Sequence, residues 1–461
     1  MSIVTHGVEP ASRLVTGQIP KWLVRWSKFS RALVFADLPD EVVSRTRLVV
    51  LDSIGAIVAG RSEPEVGAAE KRLKRSSRNG RRSSPLMHAF LDGTAGTMLE
   101  IDEGNQYARG HPGIHVVPAV LAAGELRKIS GSDAIVAIAL GYEIGARIGM
   151  ASKLRVTMHP HGTWGTVGAA LAVAKCNRAS ARDIVSVVNV ASSLGLTTSR
   201  RTMLEGGTVR NTYAGFSNML GLMAWDLVKS GITGEADGVG SVYGGIAADD
   251  FQPAIMTDEL GVRWEIARNY FKRHAACRYN HGALDALSAI VAEAGGRIDP
   301  DAVEKIEVQT YVWAAQLDHP EPANMLAAKF SMPFSIATYL VNGSASLDAF
   351  RDPARSDPVT KSLAKRVVVD EDPALTARLP AERPARVRLK LKSGRQFEAL
   401  ATINKGDTEN PYASDEVVAK FHEITEPILG RDRSCEIAKT VLALETSETL
   451  ASLQNLMRMT K

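Results

Sequence analysis

Apolar residues recur at helical spacing through the first half of the chain. Val42, Val43, Val49, Val50, Ile54, Ile57 and Val58 form one broad face. They predict a helix that Asp40 caps, starting at Glu41 and stopping near Gly60. Ile135, Val136, Ile138, Leu140, Ile144 and Ile148 predict a second helix, capped by Ser132. Residues 165–175 follow, rich in Ala and Gly. Ala favours helix, and small side chains let helices approach closely. Residues 183–191 and 220–229 continue the pattern. Between 41 and 229 no convincing run alternates apolar with polar, so this region reads as a large helical domain.

The pattern changes near Asn269. Residues 303–312 alternate apolar and polar and are rich in β-branched side chains, which predicts a strand. Residues 386–391 and 396–403 alternate again, with Ser393-Gly394 as the hairpin signal between them. Residues 414–429 and 434–457 return to helical spacing and are expected to rejoin the first domain. The predicted fold is mainly α, with a large all-helical domain and a smaller α+β one. The boundaries are 1–268, 269–405 and a helical tail at 406–461. No internal repeat is evident.

Composition narrows the function classes. The 461 residues carry 55 basic and 51 acidic side chains, too even a balance for a dedicated nucleic-acid binder. Apolar residues are 45% and charged residues 23%, which excludes wholesale disorder. Cys176, Cys277 and Cys435 are far apart, with no CxxC or zinc spacing. That sparse use fits a reducing cytoplasm. The first twenty residues do not read as a signal peptide. The longest apolar run, 134–148, is broken by Gly141, Glu143 and Gly145, so no membrane span is expected. Residues 71–82 hold seven Lys or Arg without aromatic interleaving. They read as a solvated loop ahead of an electrostatic docking site.

Four stretches could carry chemistry. Asp102 is followed nine residues later by His111-Pro112-Gly113, which suggests a loop presenting a histidine that can move protons near neutral pH. His159-Pro-His161-Gly162 stands just before a helix entry, where free backbone N–H groups favour an anion. Lys272-Arg273-His274 and Cys277-Arg278-Tyr279-Asn280-His281 form a basic strip suited to a carboxylate, or a solvated turn. Cys277 reads as a structural thiol because no triad partner is suggested. Arg210 could clamp a carboxylate with two parallel hydrogen bonds, or lie on the surface. Nothing resembles a P-loop or a GxGxxG turn, so no nucleotide cofactor is implied. No third ligand is spaced to make His159 and His161 a metal site.

Together these stretches resemble the MmgE/PrpD family. The resemblance runs from about Leu38 to Leu429. It includes Leu51-Asp52-Ser53-Ile54-Gly55, Asp102 with His111-Pro112-Gly113, and His159-Pro160-x-Gly162-Thr163-x-Gly165. It continues with Cys277-Arg278-Tyr279-x-His281-Gly, Ala328-Lys329-Phe330-Ser331-Met332-Pro333-Phe334 and Lys405-Gly406-Asp407-x-x-Asn410-Pro411. The family includes 2-methylcitrate dehydratase, cis-aconitate decarboxylase and iminodisuccinate epimerase. The resemblance implies an all-helical domain under an α+β lid, with the active site between them, in a homodimer without metal or cofactor. By position it implies catalytic or site-lining places for Asp102, His111, His159 and Lys272. Arg210, Arg278, His281 and His161 are the expected substrate contacts.

Arg210 and Tyr213 stand where the family often has Lys and His, and His161 is an unusual addition. Arg stays charged, so it can bind a carboxylate but is a poor proton donor. The expected activity is a lyase acting on a small di- or tricarboxylate by proton transfer next to a carboxylate. Dehydration of the 2-methylcitrate type leads, with decarboxylation and epimerisation as alternatives. A carboxylate-binding scaffold is the non-enzymatic alternative. In the expected roles, His159 or His111 moves the proton, Lys272 and Arg210 hold carboxylates, and Asp102 orients an imidazole.

Overall fold

A computed structural model describes residues 17–75 and 84–458. Its fold is mainly α with one smaller sheet-bearing part, as the sequence predicts. The helices Asp40–Arg61, Gly131–Ala151, Gly165–Cys176, Ala181–Ser192 and Tyr213–Lys229 pack on one another. The tail helices Ser414–Leu429 and Arg431–Leu442 return to this bundle and bury Phe421, Ile437 and Val441 in its core.

The small residues do what their size allows. A Cβ on Gly141 would lie 2.6 Å from the Gly168 carbonyl oxygen, and one on Gly168 would lie 2.7 Å from that of Gly141. The two helices therefore cross backbone to backbone, a contact any larger residue would force apart.

Three local expectations need correcting. Asp40 lies inside the first helical turn, and Pro39 takes the capping position without a side-chain hydrogen bond. An acidic first turn still suits the helix dipole. Ser130, not Ser132, caps the central helix, accepting from the Asp133 N–H. That helix is longer than the broken run predicted. At 21 residues with mean hydropathy 1.5 it could cross a bilayer by length and composition. Its 94% burial inside the fold identifies it as the core helix of the bundle.

The helical half also contains two short strands that alternation did not reveal. Ser152–Leu154 (β1) pairs antiparallel with Ala248–Phe251 (β2). At three and four residues they are too short to show a period. In the basic run, residues up to Arg75 extend the helix Pro64–Arg75 and do not form a loop. The rest of that run lies outside the described residues.

The second part is built on a four-stranded sheet. Its strands are Val303–Thr310 (β3), Val367–Glu371 (β4), Ala385–Leu391 (β5) and Gln396–Ala401 (β6), in the order β4-β3-β5-β6. β5 and β6 form the expected antiparallel hairpin across Ser393-Gly394. β4 was not foreseen and runs parallel to β3. Val303 and Ile306 are both buried although three apart, because the register shifts between Val303 and Lys305. The helix His281–Glu293 covers the sheet with Ala283, Ala286, Leu287 and Ile290.

A third apolar cluster joins the two parts. It brings Ile57, Met98, Leu99 and Ile101 together with Ala275, Ala276, Leu284 and Phe334. The division at 268/269 and 405/406 stays a proposal, suited by the way the cores separate.

Candidate functional site

Two tight backbone pairings assemble the site from separate stretches. Asn105 and Gly110 form an antiparallel bridge, which folds the chain back so that residues 102–104 face 111–113. Gly104 and Tyr270 form another, with N–H···O distances of 3.0 and 2.7 Å. Two residues further along each strand, this register sets Lys272 opposite Asp102. The Lys272 Nζ lies 3.8 Å from Asp102 Oδ1 and 3.6 Å from Glu100 Oε2. The His111 Nδ1 lies 2.9 Å from Asp102 Oδ2. Burial pushes the Asp102 carboxyl upward, but His111 and Lys272 together outweigh it and hold the group below the usual carboxylate range.

The loop 159–164 adds three further imidazole contacts. His161 stands in the middle: its ring centroid is 4.6 Å from His111, 4.9 Å from His115 and 5.0 Å from His159. Thr198 pins the loop, donating its hydroxyl to the His159 and His161 carbonyls at 2.6 and 3.1 Å. His115 pins it from the other side. Its Nδ1 meets the His111 carbonyl at 2.8 Å, and its Nε2 accepts the Gly162 N–H at 3.3 Å. A Cβ on Gly165 would lie 2.2 Å from the His115 ring, so the helix entry needs glycine there.

These contacts fix tautomers. His159 Nδ1 accepts the His161 backbone N–H at 3.1 Å, so in the neutral ring the proton sits on Nε2. Burial, then the Arg210 charge, holds His159 and His161 well below the ordinary histidine value. Burial likewise lowers His115 to about 4. These three rings are therefore neutral near pH 7. A neutral His159 presents an N–H to the site and has no lone pair left there to act as a base. His111 is the opposite case. Its Nδ1 faces the ionised Asp102, which leaves Nε2 as the ring atom available for proton exchange. The sequence left both histidines as candidates; the ion-pair contact of His111 Nδ1 with Asp102 favours His111.

Arg210 is 1% exposed, which removes the surface reading. It pairs with Glu100, also buried, and stacks 5.3 Å from the Phe330 ring. The basic strip is no solvated turn either, since Lys272, Arg278 and His281 are all buried. Arg278 pairs with Asp407 and lies 4.7 Å from the Tyr270 ring, whose centroid is 6.3 Å from that of His111. Among the described residues its Nε and Nη1 find no hydrogen-bond partner. His281 does not join the histidine cluster: its Nε2 meets the Ala276 carbonyl at 3.3 Å, and its ring lies 5.1 Å from His274. Burial pushes the Cys277 thiol up to about 11, so it is no nucleophile.

Sequence reasoning missed three members. Glu100 holds Arg210 and Lys272 in place, and its left-handed backbone (φ 53°) hides it from any helix pattern. His115 lacked a motif of its own. Lys329 donates to the Leu99 and Ala275 carbonyls, both at 3.0 Å, and burial lowers it to about 7. Its place in Ala328-Lys329-Phe330 was the available signal.

The Asp102 loop is held from behind. Lys420, on the tail, donates to Asp52 Oδ1 at 2.5 Å and to the Ile101 carbonyl at 2.6 Å. Asp52 Oδ2 accepts the Glu103 N–H at 2.8 Å. The residues on both sides of Asp102 are thus tied to one buried ion pair. A cavity of about 200 Å³ lies behind this tether, lined by Ile101, Arg273, Arg351 and Lys420 among others. The histidine cluster itself is closed to solvent. A shallower cleft outside it is lined by Arg109, Met158, Pro160, Arg200, Tyr279 and Trp313.

What this arrangement can do is hold carboxylates on buried cations and neutral imidazole N–H groups beside one proton-exchanging histidine. Comparison with known proteins agrees with an enzyme of that kind. The cis-aconitate decarboxylase-like protein oryM of Aspergillus oryzae is 25% identical over 95% of this chain and 96% of its own length. The cis-aconitate decarboxylase of Aspergillus terreus is 24% identical over 96% of each. The human cis-aconitate decarboxylase is 24% identical over 91% of each. Decarboxylases are lyases, and the expectation of a lyase-class enzyme is met at that level. The MmgE/PrpD N-terminal domain matches residues 25–249 and the MmgE/PrpD C-terminal domain matches residues 274–446. The chain belongs to the MmgE/PrpD family.

Proposed function

We propose that this protein decarboxylates a small unsaturated di- or tricarboxylate of the cis-aconitate class, without a cofactor. The carrying observation is the Asp102–His111 pair facing buried Lys272 and Arg210. The activity for which the relatives are named supports decarboxylation ahead of the 2-methylcitrate dehydration expected from the sequence.

The chemistry needs no electron sink beyond the substrate. The bond to the departing carboxylate breaks and its electron pair becomes a new C=C. The old π pair moves to the far alkene carbon, which takes a proton from His111 Nε2. Carbon dioxide leaves, and solvent returns the proton to His111. Lys272 and Arg210 hold the remaining carboxylates, and the His159 Nε2–H adds a neutral donor. Closing the site around the departing group strengthens each of these contacts.

Proton NMR in deuterated water tests the proposal with cis-aconitate, 2-methylcitrate and iminodisuccinate as separate substrates. The expected result is loss of cis-aconitate with one deuterium placed on the protonated carbon of the product. Loss of water from 2-methylcitrate alone would establish the dehydratase reading instead. Silence across a wider carboxylate panel would favour the scaffold.

A cytoplasmic homodimer completes the proposal, resting on the family resemblance and the scattered free thiols. Light scattering should give twice the 49.5 kDa chain mass. A monomer at micromolar concentration would overturn it.

A further inference from the structure

The tail helices Ser414–Leu429 and Arg431–Leu442 meet at a corner away from the histidine cluster. His422 and Glu426 stand one turn apart on the first, and Cys435 stands on the second. One ligand atom from each lies within 4.8 Å of the other two, and this is the one such group of three among the described residues. None of the three has a part in the chemistry above. Sequence spacing hid the group because its third member comes from the next helix.

The donor set is selective. Thiolate with imidazole suits zinc-like ions, whereas magnesium and calcium prefer all-oxygen shells. The corner is also partly organised. His422 Nδ1 lies 3.4 Å from Glu426 Oε1 and 2.8 Å from Ser434 Oγ. Ser434 is buried and meets Thr425 Oγ1 at 2.7 Å, so hydroxyls stand behind the ring. With Nδ1 held by Ser434, Nε2 is the ring nitrogen left to ligate, and a hydroxyl on the other nitrogen orients a ligating imidazole. Bonds of about 2.0–2.3 Å in a tetrahedron place donors roughly 3.3–3.7 Å apart. The three donors lie within 4.8 Å of one another on side chains that are exposed or half-exposed.

We propose that this corner binds a thiophilic divalent cation, Zn²⁺ first among them. Three protein ligands leave the fourth position to water. Binding exchanges the Cys435 thiol proton for a sulfur–metal bond and releases that proton to solvent. The ion braces the tail helix from outside, two residues from Lys420, which grips Asp52 and Ile101 from inside. The site is structural and stands apart from the reaction.

Calorimetry of metal-free full-length protein with Zn²⁺, under reductant, reads the stoichiometry. Co²⁺ in place of Zn²⁺ reads the sulfur bond through its thiolate charge-transfer band. One saturable site is expected, with the band present. Cys435→Ser should abolish the band, and both Cys435→Ser and His422→Gln should weaken binding at least tenfold while circular dichroism stays unchanged. Absence of saturable binding would overturn the proposal. So would binding unchanged in Cys435→Ser, which would move the ion to the histidine cluster.

Discussion

His111→Asn lowers kcat by about 10²–10⁴ on the true substrate, the usual cost of removing a positioned acid–base group. The protein stays folded, because Asn keeps an N–H donor for Asp102 and Lys272 still faces that carboxylate. Asp102→Asn falls in the same range, since an amide can turn its NH₂ toward Nδ1 and so favour the wrong tautomer. His159→Gln behaves differently. It keeps a side-chain N–H donor, and the histidine it replaces is neutral with its proton already on Nε2. Its main effect is a higher KM, with kcat reduced less than in His111→Asn. Burial and Arg210 hold His159 and His161 well below the ordinary histidine value. Neither titrates through the neutral range, so an acid limb there cannot come from them. Near-full kcat in His111→Asn, with the deep loss in His159→Gln, would reverse the assignment.

The distinction between the two histidines shows where sequence reading stops. Both stand in motifs, and both were legible as candidates. What separates them is a backbone N–H two residues after His159 and the contact of His111 with a carboxylate nine residues back; that spacing was legible, but which imidazole Asp102 meets was not. The pairing of Asp102 with Lys272 was out of reach for the same reason. It depends on the register Gly104–Tyr270, set by two backbone hydrogen bonds across 166 residues of chain. Helices such as Asp40–Arg61 and Gly165–Cys176 were legible from long apolar or Ala-rich runs of helix-forming residues, and both prove buried on nearly every side. β4 was not, because Val367-Val368-Val369 does not alternate and the strand is a short edge beside β3. The tail's last stretch read as one helix but breaks near Ala443 into a short 3₁₀ turn, Leu444–Thr446, before Ala451–Met457. A helical period persists across such a break because both pieces pack on the same core.

Lys420→Met should cost about 3–5 kcal/mol of stability, because it leaves the Asp52 carboxylate buried without its partner. Desolvation already raises Asp52 and lowers Lys420, so each depends on the other to stay charged. Asp52→Asn with Lys420→Met removes both charges. Asn keeps an oxygen for the Glu103 N–H, so the double variant should recover most of the lost stability in urea denaturation. Activity should not recover with it. The Ile101 carbonyl still lacks the ammonium that holds it, and Asp102 loses one of its two flanking anchors. A misplaced catalytic group lowers the rate far more than it lowers stability. The expected pattern is therefore a stable double variant whose kcat remains depressed, with KM little changed because Lys272 and Arg210 are intact. Recovery of kcat in step with stability would show that the pair only supports the fold. A persistent deficit would show that a tail lysine, 318 positions after Asp102 in the chain, sets the geometry of the carboxylate on which His111 depends.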